Sequence, residues 1–278
     1  MPATAAGNGA SRTRCRGKVL PTQAGRAAEN LEMTLRMDDK PLQEQSDVRL
    51  PSFDWEAVAA QLDSRGCAVL PAVLDARTCE DLAELYGDDR RFRSRVVMSR
   101  HGFGRGEYQY FAYPLPRVVA GLRSGLYASL APIANAWSRR LGEERRYPPS
   151  LEAFLERCHA AGQVKPTPLL LRYGPDDYNC LHQDLYGEWV FPLQLTVLLS
   201  QADRDFTGGE FVLTEQRPRM QSRVEVVPLG QGDAVVFAVH HRPVHGTRGD
   251  YRVNLRHGVS RVRSGHRQTL GIIFHDAG

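Results

Sequence analysis

A histidine and an aspartate in the C-terminal half have the spacing of paired metal ligands. They stand two positions apart in His182-Gln183-Asp184, and residues i and i+2 of a β-strand face the same side. His182 and Asp184 can therefore bind one metal ion together. One more histidine would complete a set of two histidines and one carboxylate, which leaves open coordination positions on iron(II).

A second motif follows at residues 257–269 and adds a histidine, an arginine and a threonine. In His257-Gly-Val-Ser-Arg-Val-Arg-Ser-Gly-His-Arg267 a Ser-Gly turn separates His257 from Arg267. We expect this segment to form a hairpin, with His257 at the metal and Arg267 deeper in the same interior. A fixed guanidinium binds a carboxylate in bidentate fashion, and Thr269 on the same face can donate its hydroxyl to it. The motif therefore predicts a dicarboxylate bound beside the metal.

Short β-strands must hold these side chains in place. After Lys165 the chain consists of short runs rich in Leu, Val, Phe and Thr, divided by Gly, Pro and Asp. Regular short strands of this kind are typical of a sandwich or barrel. The strands are predicted at residues 168–173, 190–199, 209–213, 223–227, 234–239, 251–262 and 267–275.

The residues before this β region have helical patterns. Helices are predicted at residues 55–65, after the capping residue Asp75, and at residues 117–141 and 151–160. Residues 1–47 lack apolar periodicity, which predicts a disordered tail. We therefore predict a mainly β protein with N-terminal helices. Its three parts are a tail (1–47), a helical part packed on the barrel (48–165) and a β core (166–278).

The composition excludes several classes of protein. Of the 278 residues 42% are hydrophobic and 24% are charged, which suffices for a core and argues against wholesale disorder. No apolar stretch approaches the roughly 20 residues of a membrane span. The five cysteines include no CxxC pair, so we expect neither a zinc ribbon nor a disulfide scaffold. A cytoplasmic location is the expectation that follows.

Arginine is concentrated around the second motif. Ten arginines but only three acidic residues lie between Arg217 and Arg267, and a second basic run spans residues 90–105. A local excess of this kind suits contact with the phosphates of a nucleic acid, although a solvated strand face is the other interpretation. The aromatic segment Glu107-Tyr-Gln-Tyr-Phe111 forms either core or a wall on which a substrate ring stacks.

Taken together, these motifs resemble the iron(II)/2-oxoglutarate-dependent dioxygenase superfamily. Its pattern is an HxD dyad, a distant histidine and an Arg-x-Thr that begins ten residues beyond that histidine. Members of the prolyl 4-hydroxylase type carry segments similar to Arg172-Tyr-Gly174, Thr207-Gly-Gly-Glu-Phe211 and Gly232-Asp-Ala-Val-Val-Phe237. More narrowly, the chain resembles a bacterial oxygenase family to which oxidative demethylation of damaged DNA has been attributed.

The resemblance implies a double-stranded β-helix, or jelly roll, that holds an iron ion. His182, Asp184 and His257 would be the iron ligands. His245 stays an alternative third ligand, because His245-Gly-Thr and the following Arg252-Val-Asn-Leu-Arg256 superficially resemble a run in alkylation-repair oxygenases. That run has a further arginine which this register lacks, so we favour His257.

The resemblance also implies a site for the co-substrate 2-oxoglutarate. Arg267 and Thr269 would bind its distal carboxylate, and Tyr173 or Tyr178 would add a phenol hydrogen bond. Fe(II), 2-oxoglutarate and O₂ are the implied cofactor and co-substrates, with ascorbate as an expected reductant.

Such an enzyme hydroxylates a C–H bond while 2-oxoglutarate becomes succinate and CO₂. Hydroxylation of an N-methyl group releases formaldehyde, so the narrower resemblance implies oxidative demethylation of alkylated nucleic acid, with single-stranded or damaged DNA as the partner. Two alternatives stay open. One is a prolyl or other protein or small-molecule hydroxylase, and the other is a non-catalytic jelly-roll binding module. The intact metal and arginine motifs argue against the binding module.

Overall fold

Four α-helices and fifteen β-strands form between residues 50 and 278, the part of the chain that the computed structural model describes. The predicted tail at residues 1–47 lies outside the described residues. The helices are α1 (Trp55–Arg65), α2 (Ala76–Glu84), α3 (Arg117–Arg140) and α4 (Leu151–Ala160). The strands are β1 (Cys67–Leu70), β2 (Phe92–Val97), β3 (Gly104–Arg105), β4 (Glu107–Phe111), β5 (Leu169–Tyr173), β6 (Tyr178–His182), β7 (Leu193–Leu198), β8 (Phe206–Gly208), β9 (Phe211–Gln216), β10 (Arg223–Val227), β11 (Ala234–Ala238), β12 (His241–Gly246), β13 (Gly249–Val259), β14 (Val262–Gly265) and β15 (Arg267–Ile272). None of these helices is both long and apolar enough to cross a membrane.

Local hydrogen bonds set the ends of the first two helices where the sequence predicts them. Asp54 Oδ1 accepts from two backbone N–H groups, at 3.0 and 3.1 Å, at the start of α1. Gly66 ends this helix in the left-handed conformation with φ of +80°, which a glycine adopts without steric cost. Asp75 caps α2 by accepting from the backbone N–H of Thr78 at 2.7 Å.

Two antiparallel sheets face each other and form the jelly roll that the sequence predicts. The larger sheet has the order β1-β11-β7-β15-β5-β4-β2, and the smaller has the order β10-β9-β13-β6-β3, with β12 paired to β13. Their inner faces are in contact, since the rings of Phe211 in β9 and Phe237 in β11 have centroids 4.9 Å apart. Neighbouring strands are mostly non-consecutive in sequence, so residues that are distant along the chain meet in the interior.

The region predicted as helical, residues 48–165, also contributes strands. β4 and β2 extend the larger sheet beyond β5, and β3 extends the smaller sheet beyond β6. The prediction missed these strands for two physical reasons. Arginines interrupt the apolar alternation of β2, and the partners β5 and β6 lie far along the chain.

The predicted hairpin between His257 and Arg267 is wrong. β13, which carries His257, belongs to the smaller sheet, whereas β15, which carries Arg267, belongs to the larger one. Between them, β14 pairs with β8. The two side chains therefore lie on the inner faces of opposite sheets. A Ser-Gly turn is a local signal, and it carried no information about this crossing.

A buried ion pair fixes α3 to the segment that follows β15. Arg123 and Asp276 are 1% and 0% exposed, and Arg123 Nη2 donates to Asp276 Oδ1 at 2.8 Å. The guanidinium also donates to the carbonyl oxygens of Ile273 at 3.0 Å and Phe274 at 3.1 Å. This cluster immobilises the end of the strand that carries Arg267.

We expect Arg123→Gln to lower the free energy of unfolding by about 3–5 kcal/mol, because it removes the buried guanidinium from Asp276 and leaves that carboxylate only the Tyr113 hydroxyl and the His159 ring as side-chain partners. Urea denaturation monitored by circular dichroism measures this change. The matched control is Arg204→Gln, since Arg204 forms an exposed ion pair with Asp205 at 2.8 Å and such pairs contribute about 0–1 kcal/mol. Equal losses in the two variants would contradict a special role for the buried pair.

Candidate active site

A cavity of about 350 Å³ lies between the two sheets and collects most of the side chains that the sequence singles out. At its buried end are Tyr173, Arg267 and Thr269, each at most 2% exposed. At its solvent end are Phe103 and Leu181, which are 48% and 45% exposed. The cavity therefore leads from the protein surface into the core.

His182, Asp184 and His257 meet in this cavity, with one ligand atom of each within 4.8 Å of the others. The strand register brings them together, because His257 in β13 is the direct partner of His182 in β6. His182 Nε2 lies 3.5 Å from Asp184 Oδ1, and His257 Nε2 lies 3.4 Å from Asp184 Oδ2. Two imidazole nitrogens and a carboxylate oxygen in this arrangement suit the facial ligand set of iron(II).

Neighbouring groups orient both imidazole rings. His182 Nδ1 lies 2.8 Å from the carbonyl oxygen of Cys180, and because a carbonyl only accepts, Nδ1 carries the proton. The lone pair is then on Nε2, as is common when a histidine binds a metal and donates its other ring N–H. The ring of His257 packs against Phe237 and Phe211, with centroids 4.5 and 6.1 Å away.

Tyr186 adds a hydrogen bond to the carboxylate of Asp184. Its hydroxyl donates to Asp184 Oδ1 at 2.7 Å, and both residues line the cavity. Burial raises the pKa of Asp184, but His257, His182 and the Tyr186 hydroxyl outweigh burial and bring this pKa below its ordinary value. Burial lowers the pKa of His257. An ionised carboxylate and a neutral imidazole are the forms that bind a metal.

Arg267 is a buried cation that forms no ion pair within the described part of the chain. It is 2% exposed, and its Nε and Nη1 have no hydrogen-bond partner among residues 50–278. Burial lowers the pKa of Arg267 to about 10. Its side chain passes close to Gly209, where a Cβ atom would come within 2.9 Å of Arg267 Cδ. Because an uncompensated buried charge is costly, this arrangement favours an anionic ligand.

A further unpartnered donor lies beside the guanidinium. Tyr173, the cross-strand partner of Arg267, has a hydroxyl without a hydrogen-bond partner in the described structure. Burial raises the pKa of Tyr173, so its hydroxyl remains a donor. Thr269 lines the same cavity. These donors match a carboxylate, and the residues present therefore fit both a metal ion and a dicarboxylate beside it.

Two of the residues that the sequence proposes do not reach this cavity. Tyr178 is 39% exposed, and its strand position is opposite Arg105 of β3. The side chain of His245 is 81% exposed, and its Nδ1 lies 3.1 Å from Asp250 Oδ1. The structure thus brings Tyr173 rather than Tyr178 to the arginine, and His257 rather than His245 to the histidine–aspartate pair.

Sequence reasoning missed three groups that line the cavity: the pair Gln194 and Thr196, Tyr186, and Phe103. The pair had a usable signal, since Gln194 and Thr196 are polar residues at i and i+2 in the otherwise apolar strand β7. Polar residues on the buried face of such a strand indicate a lined cavity. Tyr186 and Phe103 lie outside the helices and strands, where no periodicity in the sequence predicts which way a side chain points.

The arginine excess between Arg217 and Arg267 is partly offset by acids from elsewhere in the chain. Five of the ten arginines form ion pairs: Arg217, Arg223 and Arg242 with Glu215, Arg252 with Glu143, and Arg261 with Asp176. Of the other five arginines in this block, Arg219, Arg248, Arg256 and Arg263 are exposed and form no ion pair within residues 50–278. The excess on the folded surface is therefore smaller than the sequence suggests.

Residues 106–277 match the model of a family described as an oxygenase, catalysing oxidative methylation of damaged DNA. The uncharacterized proteins Rv2227 and MT2286 of two Mycobacterium tuberculosis strains are each 49% identical to this chain over 191 residues. Each alignment covers 68% of this chain and 82% of the relative.

Similar solved structures include a Pseudomonas putida prolyl-4-hydroxylase, with 15% identity and a TM-score of 0.47 over 81% of this chain and 100% of that one. A 2OG-Fe(II) oxygenase family oxidoreductase from Burkholderia pseudomallei is 18% identical, with a TM-score of 0.47 over 84% of this chain and 99% of that one.

We expect Tyr186→Phe to weaken metal binding about 10–100-fold, because hydrogen bonds to a ligating carboxylate orient it and set its basicity. Titration with Co(II), followed by its visible absorption, measures the affinity without turnover. Tyr108→Phe is the control, since Tyr108 lines the same cavity without a hydrogen bond to Asp184. An unchanged Co(II) affinity in Tyr186→Phe would show that the bond does not hold the carboxylate in its binding orientation.

Proposed function

Because the chain belongs to the oxygenase family described as catalysing oxidative methylation of damaged DNA, and is an iron(II)- and 2-oxoglutarate-dependent oxygenase, we propose that it oxidatively demethylates alkylated nucleic acid. The family match over residues 106–277 is the observation that carries this proposal. Oxidation of an N-methyl group gives an N-hydroxymethyl group, which breaks down to formaldehyde and a free N–H. Oxygen chemistry at a methylated base therefore removes the methyl group.

Three side chains would hold the metal. His182 and His257 would bind the metal through Nε2, and Asp184 would bind it through a carboxylate oxygen. The hydrogen bond from the Tyr186 hydroxyl would hold this carboxylate in place. Iron(II), when bound, supplies the oxidation of a C–H bond by O₂ at the expense of 2-oxoglutarate. The distances of 3.4 and 3.5 Å from the imidazoles to the carboxylate support this assignment.

Arg267, with Thr269 and Tyr173, would bind the distal carboxylate of 2-oxoglutarate. The guanidinium is buried, and its Nε and Nη1 have no hydrogen-bond partner within the described residues. A carboxylate at this position would accept hydrogen bonds that no protein group accepts. The rigid fork also sets the direction in which the rest of the dicarboxylate extends. Burial of this end of the cavity excludes water from the co-substrate. Ascorbate, as an added reductant, belongs to the same proposal.

Arg267→Lys should raise the KM for 2-oxoglutarate about 30–150-fold, because a point ammonium cannot replace two charge-assisted hydrogen bonds of roughly 2–3 kcal/mol together. Initial rates of succinate formation at varied 2-oxoglutarate measure this effect. The control is Arg172→Lys, one residue before Tyr173, since Arg172 is an exposed residue paired with Glu107. If Arg172→Lys raised the KM for 2-oxoglutarate more than Arg267→Lys does, Arg267 would not be the residue that binds the carboxylate.

The substrate proposal is tested by turnover of 2-oxoglutarate with three candidate substrates: a methylated single-stranded oligonucleotide, its unmethylated copy and a proline-containing peptide. We expect formaldehyde and succinate in equal amounts with the methylated strand alone, and neither product in Asp184→Ala. Hydroxyproline formed from the peptide, with no formaldehyde from the DNA, would replace nucleic acid by protein as the substrate.

A further inference from the structure

An aromatic pair stands at the solvent end of the cavity, outside the metal and co-substrate groups. Phe103 lines the cavity and is 48% exposed. The ring of His101, itself exposed, is stacked on it with centroids 5.4 Å apart and an interplanar angle of 24°. We refer to these two residues as the His101–Phe103 platform. Leu181, 45% exposed, borders the same opening.

The backbone under the platform is held against the smaller sheet. The N–H of Cys180 donates to the carbonyl oxygen of Phe103 at 2.9 Å, and the N–H of Phe103 donates to that of Met98 at 3.2 Å. Gly104 follows with φ of +120°, and a Cβ there would come within 2.4 Å of the carbonyl oxygen of Tyr178. Because glycine permits this close approach, the platform is fixed to the strand that carries His182.

Arginines flank the platform on both sides in sequence. Arg100 is exposed and forms no ion pair within the described residues. Arg105 is 57% exposed, and its contact to Asp177 is long, at 3.8 Å. An exposed aromatic face beside such cations is the combination with which proteins bind single-stranded nucleic acid, since bases stack on the ring and phosphates contact the arginines.

The size of the cavity limits what passes the platform. About 350 Å³ is near the lower end of small-molecule sites, which measure roughly 300–1,000 Å³, and it must also hold the co-substrate. One ring therefore enters, and a duplex does not, so a target base has to leave its stack first.

We propose that the His101–Phe103 platform stacks with the nucleobase delivered to the cavity, while Arg100 contacts the adjacent backbone phosphate. This inference rests on the proposed function and assigns the base-binding surface of that same site. The stacking partner is the aromatic face of an unpaired base.

The test compares two short single-stranded oligonucleotides that differ only at the target position, one with a methylated base and one abasic. We expect Phe103→Ala to bind the methylated strand about 5- to 150-fold more weakly by fluorescence anisotropy, and the abasic strand as the wild type does. Phe103→Trp should retain binding. Val224→Ala, an exposed apolar residue of β10 outside the cavity, should leave both affinities unchanged.

The role of Arg100 has a separate readout. Arg100→Gln should weaken both strands equally and reduce the slope of log affinity against log salt by about 0.7, the value for one phosphate contact on a single strand. An unchanged slope would overturn the phosphate contact.

The other outcomes separate the inference from the function on which it rests. If the wild type binds and demethylates the methylated strand, but Phe103→Ala binds both strands as tightly as the wild type does, the platform proposal alone is overturned. If Phe103→Trp loses as much affinity as Phe103→Ala, stacking is overturned as well. If the wild type neither binds nor demethylates the oligonucleotide, the proposed function fails and the platform proposal fails with it. A peptide whose hydroxylation depends on Phe103 would assign the platform to protein.

Discussion

The pairing register between β6 and β13 is the constraint on which the site depends. His182 and His257 are direct partners in this register, so their rings lie with centroids 4.2 Å apart. A slip of one residue would turn one of the two imidazoles to the outer face of the sheet. The β6–β13 ladder is itself irregular beyond His257. The position of β13 itself is held from its other side, where β9 pairs without interruption with β13 from Asn254 to Val259.

The second constraint is the burial of a cation without a counter-ion from the described chain. The interior could have supplied a carboxylate, as it does for Arg242 through Glu215. At Arg267 it supplies none. The folded state therefore carries the desolvation cost of a guanidinium, and the proposed dicarboxylate would offset that cost. Binding of the co-substrate and stability of the fold would then be linked, because a ligand that binds only the native state stabilises it.

Much of the fold could be predicted because its signals are local. The caps at Asp54 and Asp75 and the stop at Gly66 lie within a few residues of the helices that they bound, and strands β5, β7 and β11 coincide with apolar runs. The HxD spacing placed two side chains on one face for the same reason. The crossing between β13 and β15 and the pairings of β4 to β5 and of β3 to β6 depend on partners distant in sequence, and a periodicity contains no information about them.

The charge around the arginines could not be predicted from the sequence either, because their acidic partners include residues distant in sequence. Counted along the sequence, residues 217–267 form a strongly basic block, but Glu143 and Asp176 approach it from outside that block and Glu215 from just before it. What remains on the surface without an ion pair from residues 50–278 is four arginines, Arg219, Arg248, Arg256 and Arg263.

The charged and the apolar groups of the cavity lie at different depths. Its one arginine, Arg267, lies at the buried end, where the dicarboxylate would use it, and the residues at its solvent end include the uncharged Phe103 and Leu181. An anionic group of the substrate would find no second arginine or lysine among the described residues that line the cavity. The phosphates of a nucleic-acid substrate would therefore remain on the surface, beside cations such as Arg100, while a flat ring would enter past Phe103. A nucleic acid meets this division of charge only when one base is unstacked and turned away from its own backbone.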